Sequence, residues 1–218
     1  MRRMMTALVL SVAMGTTAYA GCTEEVANAL KRQRETSGFR METSMIAPEG
    51  KVHMTVDYVL PDRMRQVIRS EVDPQPIETV LVGNLAWSRR QGDKWTPINA
   101  QLTNALQQQM EENLGDEAAR IGDYECLGKL DVDGKKLLAY QGENEQGGPK
   151  NLRPEKKPRL PDRPVRVIYV DPTTGLPMRS IFARANMLDK PIFQATYSYP
   201  ADLKIESPIE AAKATSGQ

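Results

Sequence analysis

Two hydrophobic periods alternate along this chain, and the switches between them mark its elements. Phe39, Met41, Thr43 and Met45 alternate with Arg40, Glu42 and Ser44. After Pro48-Glu49-Gly50, Val52, Met54, Val56 and Tyr58 alternate with Lys51, His53, Thr55 and Asp57. A period of two on either side of a turn predicts a hairpin with one apolar and one wet face. A third strand is expected after Pro61-Asp62, with Met64, Ile68 and Val72 on one face and Arg63, Arg65 and Arg69 on the other. Ile77 to Val82 predicts a fourth. Gly83-Asn84 turns into Leu85 to Arg90, and Gly92-Asp93 turns into Lys94-Trp95. Neighbours in such a meander follow one another directly along the chain.

The period lengthens to that of a helix in two places. Thr23 to Lys31 predicts a short helix, with Thr23 as cap and Val26, Ala29 and Leu30 as its apolar stripe; Gly38 closes that region. Thr96 and Pro97 suit a cap and a first helical position, and Ile98, Leu102, Leu106, Met110 and Leu114 then recur every four residues. Ala105 supplements the stripe, Gly115 is the expected stop, and a second helical piece is expected over Asp116 to Ile121.

Strands resume at Tyr124. Asp133-Gly134 divides Tyr124–Val132 from Lys135–Glu143, a strong hairpin signal because both turn residues tolerate positive φ. Residues 144–164 are rich in proline, lysine and arginine and predict a long, exposed, basic loop. Val165–Val170, Pro177–Ala185 and Ile192–Tyr199 complete the strands, Leu203–Ile205 is a candidate last one, and residues 210–218 read as a frayed tail. Together these predict one α+β domain over residues 21–209: a large curved antiparallel sheet with helices on one face. The helices are too short to cover nine or ten strands, so part of the apolar face is expected to line a groove.

Residues 1–20 stand apart. Arg2 and Arg3 precede the apolar run Met5 to Met14, which is too short to span a bilayer, and Ala18-Tyr19-Ala20 fits a signal-peptidase site. A cleaved secretory signal and a periplasmic mature protein are expected. The alternative is a lipoprotein cut before Cys22. Removing the segment takes the formal charge from +1 to about −1, which gives no electrostatic reason to expect nucleic acid as a partner. No later stretch is apolar enough to span a membrane, so a soluble protein is expected.

The chain has two cysteines, Cys22 and Cys126, and in an oxidising compartment these most simply form one disulfide. It would close a loop of about 100 residues and contribute ~4 kcal/mol on the loop-entropy model. The rival is a free or lipidated Cys22. The two thiols and the lone His53 do not supply the four ligands of a structural zinc site. No cofactor is expected.

Enzyme chemistry finds little support. There is no G-x-S-x-G elbow, and His53 falls on the wet face of its strand. Gly147-Gly148 runs into Pro149, which removes a donor a phosphate cradle needs. Asp131 and Asp133 flank a turn, which accounts for them. The methionines are less bland. Met41, Met45, Met54 and Met64 share the apolar face of adjacent strands with Tyr58 and Ile68, and methionine suits surfaces that accept varied apolar partners. These six are the candidate ligand-groove residues, with ordinary core packing as the alternative.

Several runs carry a family resemblance. Tyr58-Val59-Leu60-Pro61-Asp62-Arg63-Met64-Arg65, Glu78 to Asn84 with Trp87 and Trp95, Val170-Asp171-Pro172-Thr173-Thr174-Gly175-Leu176-Pro177, and Tyr197-Ser198-Tyr199-Pro200 resemble periplasmic lipoprotein carriers of the LolA/LolB type. The resemblance implies an unclosed half-barrel whose concave face, lidded by helices, holds acyl chains. The two cysteines and the loop at 144–164 depart from that pattern, and no arginine matches the carriers' functional one, so another apolar ligand is expected. The reading is a non-enzymatic periplasmic carrier or binding protein for an acyl chain or lipid. Its alternative is an interaction or structural protein with a filled core and a protein partner.

Overall fold

The computed structural model describes residues 17–48, 50–73, 75–114, 122–143 and 164–209. Helix α1 (Thr17–Arg34) is followed by β1 (Gly38–Ala47), β2 (Gly50–Val59), β3 (Arg63–Ser70), β4 (Ile77–Val82), β5 (Leu85–Arg90) and β6 (Thr96–Pro97). Helix α2 (Ala100–Leu114) leads to β7 (Tyr124–Val132), β8 (Lys135–Glu143), β9 (Pro164–Val170), β10 (Pro177–Arg184) and β11 (Phe193–Ser198).

All eleven strands join one sheet in the order β6-β5-β4-β3-β2-β1-β11-β10-β9-β8-β7. It is two antiparallel meanders stitched together where β1 pairs with β11, Met41 facing Tyr197. The edge strands β6 and β7 do not meet, so the sheet is an unclosed half-barrel, as expected. The turn chemistry sets its boundaries. Gly83 (φ 59°) turns β4 into β5, and Asp133 (φ 53°) with Gly134 (φ 79°) turns β7 into β8. Gly38 has a steric reason instead: a Cβ there would lie 2.3 Å from the Tyr58 carbonyl oxygen.

Cross-strand register shows that both helices stand on one face. Phe39, Tyr58, Met64, Leu81 and Ala86 form one row of facing partners, and they pack with Met110 of α2. Further along the same face, Tyr124, Tyr140, Ile168 and Val170 pack with Cys22, Val26 and Ala29 of α1. The opposite face carries Val80 and Trp87, covered by Ile205, and a second cluster around Val167, Ile181 and Ala183.

Helix α1 is longer than its apolar stripe predicts. It runs through the expected cut after Ala20 and places Thr23 in its interior. Thr23 therefore caps nothing; its hydroxyl accepts the Tyr124 N–H at 2.9 Å. Cys22 and Cys126 are joined, with S–S 2.07 Å and Cα atoms 5.5 Å apart, so the sulfur a lipoprotein signal would acylate is spent in a disulfide. Residues 1–16, 115–121, 144–163 and 210–218, with the signal core, second helical piece, basic loop and tail expected there, lie outside the described residues.

Four local expectations need correction. Val72 is 66% exposed because β3 ends at Ser70, so the strand face that Met64, Gln66 and Ile68 share does not reach it. Thr96 and Pro97 do not start α2 but pair as β6 with Ser88 and Trp87. The cap is Asn99, whose Oδ1 accepts the Leu102 N–H at 3.0 Å. In α2 a strict four-residue spacing overshoots each turn by about 40°, so the expected stripe winds off the sheet. Leu102 is 57% exposed, and Thr103 at 3% takes its place. Leu203–Ile205 is no strand: it lies over Trp87, where Arg63 donates to the Ile205 carbonyl at 2.7 Å.

Candidate ligand groove

The helix-bearing face of β1–β3 is closed at one end and open at the other. At the closed end, Tyr58 and Met64 are each 1% exposed, packed under Met110, Leu106 and Leu114 of α2. At the open end, Met41, Met54 and Ile68 are half-buried, and Met45 is 36% exposed. The structure thus places the six sequence-derived groove residues on one face but in two environments. Tyr58 and Met64 belong to packed core. Met41 and Met54 pack against its edge yet stay half-buried, and Ile68 and Met45 lie beyond it.

Polar atoms are few on this face and concentrated. Gln66 turns its amide onto the Met54 sulfur, and Thr43 donates to the Met54 carbonyl at 3.4 Å. Between the two helices stands an aromatic group: Phe39 lies 4.9 Å from Tyr58 and 6.3 Å from both Tyr197 and Tyr199, ring centre to ring centre. The Tyr199 hydroxyl donates to the Pro177 carbonyl at 2.6 Å and accepts from Gln33 of α1 at 3.2 Å. The Tyr58 hydroxyl accepts from Asn113 of α2 at 3.5 Å, and burial pushes its pKa up to about 12. Burial likewise raises Tyr124, Tyr197 and Tyr199, so all four phenols are neutral donors at physiological pH.

A cation in the middle of this face belongs to β9. Arg166 of β9 faces Gly142 and Phe182, and with Ser180 it donates to the Tyr197 oxygen. The ring of Tyr124 lies over Gly142, where a Cβ would come within 2.8 Å of it. The Tyr124 hydroxyl is buried and has no hydrogen-bond partner among the described residues. Arg166, Tyr124 and Tyr197 were not among the six groove residues derived from the sequence. The sequence signal for Arg166 is its place inside Val165-Arg166-Val167-Ile168, a strand whose apolar run otherwise lacks charge.

A pocket of about 370 Å³ opens where α2 crosses the β3–β4 end, lined by Pro61, Leu81, Gly83, Gln107, Met110 and Leu114. His53 is exposed on the opposite face, as its strand position predicts, in a hollow with Glu42, Gln194, Thr196 and Ile192. Among the described residues no cluster of His, Cys, Asp and Glu has the makings of a metal site, and no helix is long and apolar enough to cross a membrane.

No family model matches this sequence, and no curated protein does. The fold is that of solved proteins. LprF from Mycobacterium bovis superposes on 87% of this chain and 97% of its own, with a TM-score of 0.56 at 14% identity. The LolA superfamily protein NE2245 from Nitrosomonas europaea aligns over 87% of this chain and 96% of its own, with a TM-score of 0.31 at 13% identity. MucB, solved in complex with MucA(peri), aligns at a TM-score of 0.36 and 15% identity, this chain spanning 60% of its length. The likeness is one of architecture: an open antiparallel half-barrel with helices on one face, the class the sequence motifs suggested.

Proposed function

We propose that this protein is a non-enzymatic carrier or binding protein of the periplasm, delivered there by the segment 1–20, and that it holds an acyl chain or comparable apolar ligand. The ligand would lie along Met41, Met45, Met54 and Ile68, with Tyr58 and Met64 forming the floor at the α2 end. One observation supports this above others: apolar side chains continue across the sheet past the point where helix α2 stops covering them. Burying apolar surface yields about 25 cal/mol per Å², so a long chain laid on this face gains affinity without polar recognition. Methionines, unbranched and polarisable, adapt to ligands of different shape.

The test is Met54→Glu. Wild type should bind a fluorescent fatty-acid probe at micromolar concentration; the variant should keep its fold and lose the probe. A wild type that binds nothing would overturn the carrier reading. A Met54→Glu chain that cannot fold would show that Met54 sits in closed core, where an unpaired carboxylate is not tolerated.

A further inference from the structure

We propose that Arg166, with the Tyr124 and Tyr197 hydroxyls, is a headgroup site for the anion, carboxylate or phosphate, of a single-chain amphiphile. This rests on the groove reading above and adds to it the polar end of the ligand. Register across the sheet carries the argument. On the helix-bearing face one row runs Tyr124, Gly142, Arg166, Phe182, Phe193, Met45. From Phe182 onward the row is apolar and continues to Val52. Phe182, Phe193 and Val52 are half-exposed and Met45 is exposed, whereas Ser180, Ala195 and Thr43 in the adjacent row are buried. An uncovered apolar track thus begins at a guanidinium. Four strand spacings separate Arg166 from Val52, about 19 Å, the reach of an extended long-chain acyl tail.

The polar end is equipped for an anion. Arg166 is absent from the ion pairs found among the described residues, which use Lys31, Arg40, Arg65, Arg89, Arg90, Lys136 and Arg179. Its phenol partner, Tyr197, is a neutral acceptor. Tyr124 is 1% exposed, and its hydroxyl has no acceptor for its proton. Buried polar groups are nearly always satisfied, and one left over beside a cation points to a missing acceptor. Gly142 makes the arrangement possible, since any side chain there would collide with the Tyr124 ring that spans the gap toward Arg166. A carboxylate or phosphate oxygen accepts from both donors at once, in the charge-assisted geometry arginine favours.

Calorimetric titration with decanoate, 1-decanol and inorganic phosphate tests this. Wild type should bind decanoate about tenfold or more tighter than decanol, the fold-change a charge-assisted hydrogen bond supports. Arg166→Gln should remove that preference and leave decanol affinity unchanged, and phosphate alone should bind far more weakly than decanoate. Tyr124→Phe, which deletes one oxygen, should weaken decanoate several-fold and spare decanol; it decides the matter if Arg166→Gln does not fold. Unchanged decanoate affinity in the variants, with decanol still bound, overturns the headgroup site and leaves the groove standing. Phosphate binding as tight as decanoate makes it a free-anion site and overturns the amphiphile. Binding of neither decanoate nor decanol by wild type removes the groove and this site together.

Discussion

Helix α1 meets the sheet through a disulfide to Cys126, a Tyr140 hydroxyl donating to Glu25 at 2.6 Å, Gln33 on Tyr199, and an Arg32 guanidinium on the Thr174 carbonyl at 3.1 Å. Helix α2 meets the same face through Met110, Leu106 and Leu114, one Gln107 amide on the Gly83 carbonyl at 3.0 Å, and the long Asn113 bond to Tyr58. A pocket of about 370 Å³ remains beside α2. The two helices occupy equivalent positions on the two meanders, so the difference lies in how they are held. One disulfide and several hydrogen bonds hold α1, whereas α2 is held mainly by dispersion contacts through methionine and leucine, which tolerate repacking better than directional bonds do. A ligand that needs room would find it on the α2 side.

The strongest way to break this contrast is to cut the tether. Replacing Cys22 and Cys126 with serine should lower stability by about 4 kcal/mol, close to the loop-entropy value for this separation. Thermal melts with and without reductant check it, and a wild type indifferent to reductant would count against a stabilising tether. Removing the cap of α2 should do less. Asn99→Ala is expected to cost about 1 kcal/mol. Hydrogen exchange should quicken in α2 while α1 and β7–β9 keep their protection; uniform quickening would mean that the two halves are not independently held. Acid should have the smallest effect, and on the α2 half. Burial raises the Glu78 carboxyl, but hydrogen bonds from Arg89 at 2.8 Å and Arg65 at 2.6 Å outweigh it and hold its pKa below the usual range. A carboxylate with a depressed folded pKa stabilises above its unfolded pKa, about 4.3, and that stability fades as pH falls through the folded value. The wild type should thus lose more stability than Glu78→Gln between pH 5 and pH 3 in chemical denaturation.

Strand boundaries were legible wherever a turn demanded particular residues. Gly83-Asn84 and Asp133-Gly134 set four strands to the residue, because positive φ is tolerated by few side chains. Helix starts were less legible: Thr23 and Thr96 are both good caps locally, yet Thr23 turns its hydroxyl to the Tyr124 N–H inside α1, and Thr96 pairs in β6 and leaves the cap of α2 to Asn99. The methionine face followed from period alone. The Tyr124–Arg166–Tyr197 group did not. Its members come from β7, β9 and β11, and no local pattern reports that β1 pairs with β11 or that Gly142 lets a ring lie across a strand.

The β1–β11 seam also shapes how the chain assembles. The first meander is complete in sequence at Pro97, yet its β1 edge has no partner until residues 193–198 arrive. The second meander is flanked by the same late strand, and its helix α1 comes from the opposite end of the chain. Each half therefore has an open strand edge until a contact spanning about 150 residues is made. Such long-range closure is slow and exposes edges that invite pairing with other chains. Beside that edge stand Arg40, paired with Asp57 of β2, and Glu42, and charges at a strand edge are the kind of feature that discourages pairing with another chain.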